Sequence, residues 1–78
     1  MSNLAINVII LSESLSMRST IKIKDWYWDA SKGNMVFTDE EGQKYKGKTH
    51  SVVIGKVYGV EVESTPSKDG YISLIKWY

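Results

Sequence analysis

The chain has 78 residues, with ten basic and nine acidic side chains, one histidine and no cysteine. That length makes one domain with a small core. The absence of cysteine excludes a disulfide framework and a thiolate metal site, and a net charge of +1 lacks the broad electrostatic pull of many nucleic-acid binders.

The longest apolar run, residues 8–11, is far too short for a membrane span or a signal-peptide core. The cytoplasm is therefore the expected compartment, with no membrane partner. Residues 4–11 alternate Leu4, Ile6, Val8 and Ile10 against Ala5, Asn7, Ile9 and Leu11. Both sets are largely apolar and rich in β-branching, which predicts a central strand covered on both sides. Ser12-Glu13-Ser14 reads as a tight connection to the next strand, residues 15–29.

In that strand Ser16, Arg18, Thr20, Lys22 and Lys24 form a polar face, while Leu15, Met17, Ile21 and Ile23 form an apolar one. A period of two marks a strand with one face buried. The phase fails at Asp25-Trp26-Tyr27-Trp28-Asp29, where both tryptophans fall on the polar face. With no extra residue, Trp26 and Trp28 stand outward beside lysines, and Asp25 and Asp29 point at the core, which is costly for unpaired carboxylates. One extra residue near Lys24-Asp25 turns both tryptophans inward and leaves Tyr27 outside. This second reading is the more economical.

Ser31-Lys32-Gly33-Asn34 is a turn, residues 35–38 a short strand, and Asp39-Glu40-Glu41-Gly42 a hairpin turn with a solvated acidic tip. Residues 43–46 return from it and Gly47 interrupts them. A second long strand is expected over residues 49–63, with Val52, Ile54, Tyr58, Val60 and Val62 on its apolar face and Gly55 and Gly59 marking a bend. Pro66 and Ser67-Lys68-Asp69-Gly70 form the last turn, before a final strand at residues 71–78.

Six to seven strands on short turns predict one nearly all-β domain over residues 1–78. Its form is a small, highly curved antiparallel barrel or a two-sheet sandwich. In architecture alone it resembles small barrels of the SH3-like or oligonucleotide-binding type. The expected core is Ile6, Val8, Ile10, Leu15, Met17, Ile21, Ile23, Phe37, Val52, Ile54, Val60, Val62, Leu74 and Ile75.

Two groups of residues are candidates for binding. Trp26, Tyr27 and Trp28 offer aromatic surface of the kind that anchors protein interfaces or stacks on bases. Lys44, Tyr45, Lys46 and Lys48 form a lysine stripe, whose alternate members lie on the order of 7 Å apart on an extended chain. That spacing is close to the spacing of phosphates on a single strand. His50 is the lone histidine and reads as a surface or packing residue. With no cysteine, no second histidine and no glycine-rich phosphate loop, the expectation is a non-enzymatic protein without cofactor or metal.

The expected function is that of a binding module or small inhibitor that covers a larger protein partner. Chains of this kind are often phage- or mobile-element-encoded, which would place this one in the host cytoplasm. Homo-oligomers through edge strands are a further expectation. The alternative is single-stranded nucleic-acid binding by the lysine stripe and exposed aromatics.

Overall fold

The computed structural model describes residues 16–78. Its strands are β1 (Ser16–Asp29), β2 (Asn34–Asp39), β3 (Lys44–Gly47), β4 (Val57–Glu63) and β5 (Ile72–Trp77). They close into a barrel in the order β1-β2-β3-β5-β4. The protein is thus all-β among the described residues, with five strands in place of the six or seven predicted. The strand predicted at residues 4–11, together with Ile6, Val8, Ile10 and Leu15 of the expected core, lies outside the described residues.

Curvature comes from strands that serve two neighbours. Residues Ser16 to Lys22 of β1 pair with β4, and Ile23 to Asp29 pair with β2. Between them Ile23 faces Asp39 and Asp25 faces Thr38, so Lys24 has no counterpart. This is the extra residue that the sequence demands at that point, and it bends the strand from one sheet into the other. The second shared strand is β5, which pairs parallel with β3 and antiparallel with β4. The barrel therefore carries one parallel pair and is not uniformly antiparallel.

The long strand predicted over residues 49–63 is corrected. Only Val57–Glu63 is strand. Residues 48–56 form an irregular segment whose turn places Gly55 at φ 88°. Alternation at Val52 and Ile54 looked like a strand, but a left-handed glycine reverses the chain there. Ile54 is consequently exposed, while Val52 packs against the core.

Ile23, Val36, Phe37 and Val60 are the most deeply buried side chains, and Ile21, Met35, Tyr45, Val62 and Leu74 complete the core. Trp77 closes it, meeting Phe37 edge-to-face at 5.0 Å and Tyr58 at 5.4 Å. Full burial of a ring such as Phe37 contributes about 1.5–3 kcal/mol. Two other expected core residues are exposed. Ile75 is skipped where Glu61 pairs with Lys76 and Val62 with Leu74, and the bulge turns it outward. Met17 is on the inner side, opposite buried Val62, but stands half exposed. Gly47 leaves room at the parallel crossing, where a Cβ would meet Leu74 Cβ and its carbonyl oxygen in a tight contact at 3.3 Å.

Candidate functional site

The faces of the β1–β2–β3 sheet follow from its register. Trp26, Phe37 and Tyr45 lie side by side on the inner face, as do Trp28, Met35 and Gly47. Tyr27, Val36 and Lys46 share the outer face, with Lys44 opposite Thr38. Val36 is fully buried although it faces outward, so the side chains above it form a closed layer.

That layer is built from aromatics and lysines. The Tyr27 and Tyr71 hydroxyls are 3.3 Å apart. Lys44 Nζ stands 5.5 Å from the Tyr27 ring centre and 5.9 Å from that of Tyr71. Lys32 Nζ, from the β1–β2 turn, is 4.8 Å from the Tyr71 ring. Each distance is within cation–π range. One carboxylate ties the lysines together: Asp69 Oδ2 accepts from Lys32 at 3.0 Å and Lys46 at 3.2 Å. The Tyr71 amide donates to its other oxygen at 3.0 Å. This amide bond, then Lys32, holds the Asp69 carboxyl far below the usual carboxylate range. The Tyr71 hydroxyl, with lesser help from desolvation, pushes the Tyr27 phenol up to about 12.

The inner face carries a different surface. The bulge does turn Trp26 and Trp28 to the side of the core, yet they remain 45% and 52% exposed. The inward reading is therefore right about the face and wrong about burial. The reason lies in the partner strand, because β4 reaches along β1 only to Lys22. Beyond that point a groove of about 280 Å³ opens between Trp26, Met35 and the segment Thr49, His50, Ser51 and Val52. His50 stacks flat on Trp77 at 4.3 Å, a packing role. Val53 and Ile54, next along the same segment, are exposed.

The sequence candidates thus divide between two faces. Tyr27 meets Lys44 and, through Tyr71 and the Asp69 that Tyr71 bonds, the neighbourhood of Lys46. Lys48 lines a shallow groove of about 250 Å³ with Lys46 and Asn34. Trp26 and Trp28 lie on the other side of the sheet. Tyr45 is not a surface residue: it is buried, and its hydroxyl donates to Asp39 Oδ2 at 2.8 Å. Burial, followed by that carboxylate, raises its pKa.

The acidic tip is likewise corrected, since Asp39 is turned inward. Its Oδ1 accepts from the amides of Glu41 at 3.0 Å and Gln43 at 2.9 Å, and Glu40 pairs with Lys22 at 3.5 Å. Sequence reasoning missed Lys32, Asp69 and Tyr71, which sit in or beside stretches read only as turns. The aromatic directly after Asp69-Gly70 was the available signal. Among the described residues there is no cluster of three His, Asp or Glu that could hold a metal, and no helix long and apolar enough to cross a membrane. Compared with known proteins, the chain matches no family model, no curated protein and no solved structure.

Proposed function

We propose that the protein binds single-stranded nucleic acid across the outer face of β2 and β3, and that its barrel is of the oligonucleotide-binding kind. The observation that carries this reading is Lys44 poised over both Tyr27 and Tyr71. Stacked bases on such rings contribute roughly 1–3 kcal/mol each, and lysines beside them neutralise phosphates. Lys32, Lys44 and Lys46 supply the cations there, with Asp69 among them and Asp25 and Asp29 flanking Tyr27 on the same face, so the attraction for phosphate is local to the lysines.

The strand order and the parallel β3–β5 pair lend support. In oligonucleotide-binding barrels the ligand lies on the face of strands 2 and 3, flanked by the loops after strands 1 and 4. Lys32 follows β1 and Asp69 follows β4 in this chain. Architecture alone does not fix function, and the side chains on the face carry the argument. Binding without catalysis is the reading.

The test is fluorescence anisotropy with a labelled single-stranded DNA of about 12 nucleotides, within the site sizes such barrels use. Wild-type protein binds at low salt and weakens as salt rises. Exchanging Lys44 and Lys46 for alanine lowers the slope of log affinity against log salt by about 1.4. Absence of binding at low salt overturns the proposal.

A second reading, protein binding, is favoured by Trp26 and Trp28 standing half exposed beside an apolar groove. Large aromatics in such positions are the usual anchors of protein interfaces. A small inhibitor that covers a larger protein fits this surface.

A further inference from the structure

The edge of β1 beside the tryptophan groove is hydrogen-bonded on one side only. The Asp39 amide donates to the Gln43 carbonyl at 3.0 Å, so the odd residues of β2 bond to β3. Val36 and Thr38 therefore bond to β1, through their partners Tyr27 and Asp25. By the same alternation the backbone groups of Trp26 and Trp28 point to the opposite edge. Ile23 is satisfied there by the irregular segment, with Gly55 donating to its carbonyl at 2.7 Å and Ile23 donating to Lys56 at 3.1 Å. Past Ile23, no backbone group among the described residues reaches that edge. The Trp26 amide is taken by the neighbouring Asp25 carboxylate at 2.8 Å.

An edge of this kind is matched by an extended chain, and its side chains say which. On the inner face the added strand would lie against Trp26, Trp28 and the groove with Met35 and Val52. On the outer face it would lie against Asp25 and Asp29. Asp25 forms no ion pair among the described residues, and Asp29 is held by the Ser31 hydroxyl at 2.6 Å in its own turn. Both carboxylates flank Tyr27 on that side.

We propose that the edge of β1 from Asp25 to Asp29 receives an extended segment of a partner protein in which apolar residues alternate with lysine or arginine. The inference rests on the protein-binding reading of the tryptophan groove, and the partner's charged side chains would reach the outer face beside Tyr27. Main-chain bonds give such strand addition its affinity, and alternate side chains give its specificity. A second copy of this chain paired with Trp26 opposite Trp28 fits worse. The symmetric pairing that sets Trp26 opposite Trp28 also sets Asp25 opposite Asp29, and like charges directly opposed are unfavourable.

The experiment uses the full chain and a synthetic heptapeptide that alternates lysine with isoleucine, followed by tryptophan fluorescence and amide exchange. Three controls accompany it: the same peptide N-methylated at its edge-facing amides, a glutamate version, and the Asp25→Asn variant. The expected result is binding of the lysine peptide with slowed exchange at the Trp28 amide, no binding of the N-methylated peptide, and a threefold to fivefold loss in Asp25→Asn, the scale of an exposed ion pair. Equal binding of the N-methylated peptide overturns strand addition while leaving protein binding at the tryptophans standing. Equal binding of the glutamate peptide overturns the assigned charge. Trp28 already protected in the free protein shows the edge occupied by this chain or a second copy, and also overturns the proposal. If no peptide binds and Trp28→Ala leaves every interaction of the protein unchanged, the protein-binding reading falls with it.

Discussion

A carboxylate at the start of an Asp-Glu-Glu turn is ordinarily left in water, yet only 6% of the Asp39 surface is exposed. It stays there because its oxygens accept from the Glu41 and Gln43 amides and from the Tyr45 hydroxyl. A buried carboxylate deprived of a partner is costly, about 1–3 kcal/mol for the lost bond. Tyr45→Phe keeps the ring and removes only the hydroxyl, so urea unfolding should show a loss of that size. A change within a few tenths of a kcal/mol would mean that water replaces the hydroxyl at no cost. The position of Tyr45 was legible in the sequence. Alternation within Lys44-Tyr45-Lys46 puts the ring opposite the lysines, and grouping the three by chemistry hid that parity. The inward turn of Asp39 was not legible, because its partners come from the turn geometry and from a residue on the next strand.

At the level of the element, β1 is two half-strands joined by a phase change at Lys24. Its first half keeps Ile21 inside against β4, and its second keeps Trp26 on the side of Phe37. Deleting Lys24 puts the halves in one phase with Ile21, Ile23, Trp26 and Trp28 still on one face, and what it removes is the bend that carries β1 from one sheet into the other. The expected outcome is loss of the cooperative thermal transition. A variant that melts cooperatively near the wild-type temperature would show that the bulge is not needed. The break in alternation announced this bulge in the sequence. The exposure of Trp26 and Trp28 was not announced, because it depends on how far β4 extends, and β4 itself was misjudged. Val52 and Ile54 imitate a strand period, and only the left-handed turn at Gly55 reveals the difference.

Over the whole molecule, the two proposed surfaces lie on opposite faces of one sheet and meet at the edge of β1, where Asp25 and Asp29 flank Tyr27. Lys44, Tyr27 and Tyr71 lie outside, and Trp26, Trp28 and the groove lie inside. Sites that share no side chains are expected to act nearly independently. Exchanging Lys44 and Lys46 for alanine, which weakens DNA binding, should leave the affinity for the lysine–isoleucine peptide unchanged within about a factor of two. A larger change would place both ligands on one face. The all-β class and the barrel followed from period-two patterning and closely spaced turns. Strand order did not, because alternation says which face a residue takes and nothing about which strand lies beside it.

The position of β5 has a consequence for how the molecule comes into being. It lies between β3 and β4, both of which precede it in the chain. As the polypeptide leaves the ribosome, β3 and β4 are made first and cannot pair with each other without filling the place that β5 will take. The nascent protein therefore holds a gap until Ile72 to Trp77 emerge, and Trp77 arrives last to cap Phe37 and Tyr58. Closure of the barrel therefore waits on the strand that is made after both of its neighbours.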